Sequence, residues 1–140
     1  MKWENVSEKI NFKFPNTLKK LTLENINQPI DDILPDNLEE LILGYDFEFK
    51  INKKLPKTLK KLKLGKLFQN EILPDNLEYL EMGKYFNEKI NINLPNSIKI
   101  LKFGYYFNQS IDNILPNFLI KLYLGDNFNQ LIEIPLPKTL

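Results

Sequence analysis

The sequence predicts a β-rich solenoid. In such a fold, a right-handed coil places a parallel β-sheet on its concave face and extended or single-turn 3₁₀ segments on its convex side. Seven of the nine prolines recur at intervals of 18 to 21 residues, at Pro15, Pro35, Pro56, Pro74, Pro95, Pro116 and Pro137. All five glycines follow one of these prolines by nine residues. Two residue types confined to one phase of a period indicate tandem repeats, each forming one structural unit.

Each complete repeat contains a short stretch with the alternation of a β-strand, as in the L-x-x-L-x-L pattern of residues 59–64. A strand this short is stable only beside others, and its recurrence lets neighbouring strands lie parallel, about 4.8 Å apart. The sheet then buries two ladders of apolar side chains. The first is Leu21, Leu41, Leu62, Leu80, Leu101 and Leu122; the second is Leu23, Leu43, Leu64, Met82, Phe103 and Leu124.

The residues that follow each strand predict how the coil turns. A glycine directly after the strand suits a turn that needs a positive φ or a close approach of two backbones. A phenylalanine three residues later predicts an aromatic spine inside the coil, formed by Phe47, Phe68, Phe86, Phe107 and Phe128. The next position predicts inward asparagines that satisfy backbone groups of adjacent coils, namely Asn87, Asn108 and Asn129, with Glu48 and Gln69 in their place earlier in the chain.

The repeats predict one solenoid domain over residues 10–140, with about seven repeats and the last one incomplete. Residues 1–9 form a cap segment, and the apolar residues of the first fourteen positions are placed to cover the first coil; these are Trp3, Val6, Ile10, Phe12 and Phe14. Three interpretations of the C-terminal end remain open: an excerpt of a longer array, a half-repeat that serves as a lid, or an edge that another chain covers.

Composition excludes several functional classes. The 19 basic and 18 acidic residues nearly cancel, which gives no electrostatic case for duplex nucleic acid or an anionic membrane. The chain has no cysteine and no histidine, which excludes disulfides, thiolate or imidazole metal sites and most nucleophile–base pairs. We therefore expect no catalytic residues, cofactor or metal. The lack of cysteine and of a signal-like apolar run favours an intracellular location, cytoplasmic or nuclear.

The repeat pattern resembles the FNIP repeat, a variant of the leucine-rich repeat. The segments Phe107-Asn108-Gln109-Ser110 and Phe128-Asn129-Gln130-Leu131, each followed by isoleucine, are close to the core motif F-N-x-P-I of that family. The resemblance covers roughly residues 10 to 140 and implies a leucine-rich-repeat-like coil from an amoeba or a large DNA virus of amoebae. Some members carry an F-box, which recruits a ubiquitin ligase; we expect this chain to lack one.

Outward strand positions define the predicted binding face. One row alternates lysine and glutamate along the stack, in the order Lys19, Glu39, Lys60, Glu78, Lys99 and then Ile120. This row predicts either cross-strand charge pairing, about 0.2–1 kcal/mol per pair, or a stripe complementary to a partner. Toward the C-terminal half the face becomes aromatic and apolar. The candidate partner-binding residues are Tyr79, Ile100, Lys102, Tyr105, Ile120 and Tyr123.

Exposed tyrosines beside isoleucines are typical of interface anchors, although parallel β-surfaces also favour both residue types. The sequence therefore favours a scaffold that binds a protein partner through its concave face. Two other functions remain open: self-assembly through the C-terminal edge, and substrate recognition for a ubiquitin-ligase adaptor without its F-box.

Overall fold

The computed structural model describes residues 2–3, 9–66 and 73–140, and within them it is a parallel β-solenoid without a helix. One sheet holds seven strands in chain order, and every neighbouring pair is parallel. The strands are β1 (Lys2–Trp3), β2 (Lys20–Leu23), β3 (Glu40–Leu43), β4 (Lys61–Lys63), β5 (Tyr79–Glu81), β6 (Ile100–Lys102) and β7 (Lys121–Tyr123). The predicted fold class is confirmed.

The register of the sheet stacks the predicted ladders. Leu41 pairs with Leu62, and Leu80 pairs with Leu101, so identical side chains lie one above the other in successive coils. Members of both ladders from β2 to β6 are buried. Each one leaves water for an apolar neighbour above and below, which stabilises the stack by about 25 cal/mol per Å² of apolar surface.

The aromatic spine is also present among the described residues. The rings of Phe86 and Phe107 stack with centroids 5.9 Å apart and planes 6° apart, and Phe107 stacks on Phe128 at 6.2 Å. The ring of Phe103 lies 3.9 Å from that of Phe107, which joins the spine to the second ladder. Phe68 and Gln69 lie outside the described residues.

The glycines serve close packing between coils. None has a positive φ; the left-handed conformation occurs instead at Asn25 and Asn113. A Cβ on Gly104 would lie 2.0 Å from the carbonyl oxygen of Gly83, and one on Gly125 would lie 1.9 Å from that of Gly104. Along this column, backbone therefore packs directly on backbone at Gly104 and Gly125, where a Cβ would overlap the preceding coil.

The asparagines bridge adjacent coils, but from the surface. Asn87 Oδ1 accepts a hydrogen bond from the backbone N–H of Asn108 at 2.8 Å, and Asn108 Oδ1 accepts one from Asn129 at the same distance. The prediction of inward side chains is wrong, because Asn87 and Asn129 are exposed and Asn108 is half-buried. An amide oxygen reaches the next coil from outside without losing its contact with water.

The prolines begin a turn that leads into each strand. The carbonyl of Pro56 accepts a hydrogen bond from the N–H of Leu59 at 3.0 Å, and the same bond recurs after Pro74 and Pro95. A hydroxyl in this turn then binds the preceding coil, as Ser97 Oγ donates to the carbonyl of Leu77 at 2.7 Å. Turns and extended backbone of this kind make up the described return segments.

At the N-terminal end, β1 adds a strand beside β2, with Lys2 opposite Thr22. Ile10 and Phe14 are buried, whereas Phe12 is exposed and meets Phe14 edge-on at 5.3 Å. Val6 and the side chain of Trp3 lie outside the described residues.

Candidate partner-binding surface

The structure brings the six predicted contact residues together on three neighbouring coils. In the register, Tyr79 lies opposite Ile100, and Lys102 lies opposite Tyr123. Ile120 directly precedes β7, and Tyr105 follows the glycine after β6. Tyr105, Ile120 and Tyr123 are 44%, 50% and 47% exposed, and the other three are half-buried.

Lys102 is the centre of this group. Its ammonium lies 4.7 Å from the ring centroid of Tyr123 and 5.5 Å from that of Tyr79. The ammonium of Lys61 approaches the ring of Tyr79 at 5.3 Å. Cation–π contacts of this kind hold the two rings and the cations in one layer on the outer side of the sheet.

The hydroxyl of Tyr79 is engaged within the surface, since it donates a hydrogen bond to Glu81. Burial and this hydrogen bond raise the pKa of Tyr79. Burial would by itself raise the pKa of Glu81, but the bonds from Tyr79 and from Lys63, whose ammonium lies 2.9 Å away, outweigh it and lower that pKa. Glu81 is therefore an ionised carboxylate whose charge is balanced within the surface by Lys63.

The alternating row of charges forms ion pairs along the stack. Glu39 lies 3.3 Å from the ammonium of Lys19 and 3.7 Å from that of Lys60, and the hydrogen bond from Lys19 lowers the pKa of Glu39. Further along, Lys99 lies 3.1 Å from Glu78. The contacts favour the pairing interpretation of this row over the stripe complementary to a partner.

A groove of about 590 Å³ runs across the coils at the carboxyl ends of the strands. Lys102, Tyr105 and Tyr123 line it, whereas Tyr79, Ile100 and Ile120 lie outside its lining. Further lining residues were not among the candidates: Lys63 and Glu81, which share outward strand positions with Lys102 and Tyr123, and Tyr45 and Lys84 in the turns. The available signal was the position after each repeat glycine, which places Tyr45, Lys84 and Tyr105 in equivalent turns.

Lys84 joins the groove to a cluster of tyrosines. Its ammonium lies 5.6 Å from the ring of Tyr85 and 5.9 Å from the ring of Tyr105. Tyr106 stacks on Tyr85 at 5.4 Å and meets Tyr105 edge-on at 4.9 Å. Exposed aromatic rings thus continue from the sheet onto the turns beside it.

The last coil presents apolar side chains at its outer edge. Leu122 and Leu124 are only partly buried, whereas Leu101, one coil earlier, is fully buried. Leu131 is 77% exposed. The described sheet ends at β7.

Over residues 2–3, 9–66 and 73–140, no group of three or more acidic side chains is arranged to hold a metal ion. The same part of the chain contains no helix long and apolar enough to cross a membrane.

The geometry of the coil and the order of its residues agree with a known repeat. The FNIP Repeat model matches residues 9–46, 27–67, 47–85, 66–106, 86–114 and 107–140. The chain belongs to the FNIP repeat family. Successive matches overlap and extend almost from end to end, which confirms the resemblance drawn from the F-N motifs.

Among solved structures, this FNIP chain is similar to CroV588 of a giant virus, described as a circular LRR protein. The two share 41% sequence identity with a TM-score of 0.75. The match covers 84% of this chain and 19% of CroV588, so the chain corresponds to about a fifth of that protein's length. No curated protein matches the chain.

Proposed function

We propose that this chain is a protein-interaction module that binds a partner through the sheet face of its C-terminal half and the adjoining groove. The observation that carries the proposal is the layer in which Lys102 lies between the rings of Tyr79 and Tyr123. Strand pairing with β5 and β7 fixes the backbone of that layer, so little order has to be gained on binding.

Aromatic side chains in a rigid setting are the usual anchors of protein interfaces. A buried aromatic ring removes a large apolar area from water, and truncation of such an anchor costs about 2 kcal/mol or more. Tyr105 and Tyr123 offer nearly half of their surface for this purpose. The half-exposed Ile120 adds an apolar contact at the same place.

Binding accounts for the surface better than catalysis does. The chain has neither histidine nor cysteine, and the carboxylates on the sheet face are held in ion pairs, as Glu39 and Glu81 are. A carboxylate neutralised in this way is a weak base. The family and the leucine-rich-repeat-like coil are also typical of scaffolds.

The test is affinity capture from amoebal cell extract with the wild-type chain and the double variant Tyr79→Ala/Tyr123→Ala. A captured protein is then purified and its Kd measured, and we expect the double variant to bind at least about tenfold more weakly. Phe118→Ala is the matched control, since Phe118 is 64% exposed and lies in the turn before β7, away from the groove. A double variant that binds as tightly as wild type would contradict the proposed site.

Assembly through the C-terminal edge is the second candidate, favoured by Leu122 and Leu124, which are only partly buried. Another coil of the same kind would cover these leucines, and the circular form of CroV588 gives a precedent for coils that continue. Analytical ultracentrifugation tests it. We expect Leu124→Glu to reduce the association of the chain, whereas a wild-type chain that remains monomeric at every concentration would exclude self-assembly.

A further inference from the structure

Lysines on the sheet face and in the turns that follow the strands fall into two groups. Before β4 each has a carboxylate nearby; for example, Lys20 lies 2.7 Å from Glu40, and Lys19 and Lys60 flank Glu39. From β4 onward, four lysines have no carboxylate within 4.0 Å among the residues that the structure describes. These four are Lys61, Lys84, Lys102 and Lys121.

The neighbouring acidic residues do not neutralise this group. Glu81 lies opposite Lys102 in the register and attracts it, but it is shared with the hydrogen bond of Tyr79 and the ion pair of Lys63. Glu78 pairs with Lys99. Asp126, in the turn after β7, offsets one positive charge at most. The surface around Tyr79 and Tyr123 therefore carries a local excess of positive charge in a chain whose net charge is only +1.

Contact with tyrosine rings leaves these ammonium groups able to bind a carboxylate of a ligand. A cation over an exposed ring is stabilised less than a cation that donates a hydrogen bond to a carboxylate. Lys84 and Lys102 both line the groove, at 4.7 to 5.9 Å from the rings they approach. An incoming carboxylate can bind such an ammonium while the ring packs against the rest of the ligand.

The dimensions fit a short extended segment. From β4 to β7 the sheet advances by three strand spacings, about 14 Å, which an extended peptide covers with about five residues. Alternate side chains of that peptide point toward the surface. Acidic ones would meet Lys84 and Lys102, and apolar ones would meet the rings of Tyr105 and Tyr123.

We propose that the groove and the adjoining sheet face bind an acidic peptide segment in extended conformation, with Lys84 and Lys102 as its carboxylate contacts. This inference rests on the proposed function and narrows the partner to one chemical class. A single-stranded nucleic acid fits less well, because it is usually bound by a continuous basic groove, whereas the lysines here are separated by the paired carboxylate of Glu81 and the net charge of the chain is only +1.

The experiment selects peptides from a random dodecapeptide phage library on the immobilised full chain. The selected peptides are then synthesised with a fluorescein label. We expect the selected pool to be enriched in aspartate and glutamate relative to the input library. Anisotropy should show Kd rising by about tenfold or more in Lys84→Gln/Lys102→Gln, and rising with salt.

The matched control is Lys54→Gln/Lys57→Gln, which removes the same charge from exposed positions outside the groove and should change Kd by less than about twofold. Circular dichroism checks that both variants are folded. Labelled oligo-dT tests the competing class, and tighter binding of oligo-dT than of the peptides would overturn the inference.

Three further outcomes would distinguish failure of this inference from failure of the proposed function. Neutral or basic peptides whose binding is lost in Tyr79→Ala/Tyr123→Ala would overturn the acidic partner and leave the binding face supported. Failure to select any peptide, or acidic peptides that bind the Lys84/Lys102 variant normally, would overturn the inference. The affinity capture with Tyr79→Ala/Tyr123→Ala would still test the proposed function on its own.

Discussion

The glycine column offers a sharp test of the coil, because the same substitution should destabilise the chain at one position and leave its stability almost unchanged at an equivalent one. Gly104 packs on the carbonyl of Gly83, whereas Gly44 packs on the first coil, which has Glu24 in place of a glycine. Neither glycine has a positive φ, so alanine is sterically acceptable to its own backbone at both sites. The difference between Gly104→Ala and Gly44→Ala therefore measures the packing between coils.

The magnitude follows from the distances. At Gly104 the added Cβ would lie 2.0 Å from the oxygen of Gly83 and 2.8 Å from Cα of Lys84. Both distances are shorter than 3.0 Å, the shortest contact that Cβ atoms normally make. These atoms belong to the backbone, so relief needs a shift of the whole turn by about 1 Å, and such overpacking costs about 3 kcal/mol. Alanine also lowers the conformational entropy of the unfolded chain, which stabilises the folded state by about 0.4–1 kcal/mol. We expect a net loss of about 2 kcal/mol or more.

At Gly44 the nearest atoms lie at 3.2 to 3.3 Å, and a displacement of a few tenths of an ångström accommodates the methyl group. The gain in the unfolded state then offsets the cost, and stability should change by less than about 0.5 kcal/mol. Guanidinium unfolding followed by circular dichroism compares the two variants. Equal midpoints for Gly104→Ala and Gly44→Ala would refute the view that direct backbone contact sets the spacing of the coils.

Three further predictions concern the core and the charges. Leu101→Ala removes a fully buried ladder residue and should cost about 2–5 kcal/mol, while Lys99→Ala should cost well under about 1 kcal/mol because Lys99 is exposed; similar unfolding energies would contradict the ladder. Tyr79→Phe removes a donor and should raise the pKa of Glu81 in a ¹³C NMR titration, unlike the control Tyr45→Phe; an unchanged pKa would exclude the bond. Hydrogen bonds from lysine, and at one site also from asparagine, lower the pKa of three exposed carboxyls, Asp32, Asp36 and Glu39. A carboxyl whose pKa is lower in the folded chain than in the unfolded chain stabilises the fold at pH values above the unfolded pKa. This contribution is lost as the pH falls through the folded pKa, so the melting temperature should decrease below about pH 4.5. The decrease should be smaller in high salt, which screens the ion pairs. A melting temperature that is independent of pH in that range would refute the role of these pairs.

The buried part of the fold was predictable because each coil repeats the environment of the one before it. The phase of a leucine such as Leu101 fixes its direction, and the stack then fixes its neighbours. Phase does not fix how a side chain ends a turn, so the position of Asn87 inside or outside the coil was open. The role of Gly104 was equally open, because close approach depends on the spacing of the coils rather than on its own dihedral angles.

The candidate site was predictable to the extent that it lies on strands. Alternation places Lys102 and Tyr123 on the outer face, and parallel register makes them neighbours. Lys84 was missed because it lies in a turn, where strand alternation does not apply, although it shares with Tyr105 the position after a repeat glycine. The bond from Tyr79 to Glu81 depends on rotamers, although their spacing of two residues already placed both on one face.

The two halves of the sheet face cover one continuous core. Effects of the surface lysines on stability and on binding can therefore be measured separately. Leu41 and Leu101 are both fully buried, so burial under the surface is the same whether the lysines above are paired or not. Lys20 forms an ion pair with Glu40 that gives a small cross-strand stabilisation, whereas Lys102 forms no ion pair among the described residues and attracts the shared carboxylate of Glu81 only from a greater distance. Replacement of Lys102 should therefore leave the unfolding energy almost unchanged while weakening the binding of an acidic partner. A residue whose loss affects binding and leaves stability intact belongs to an interface, and this is the result that our proposal predicts for Lys102.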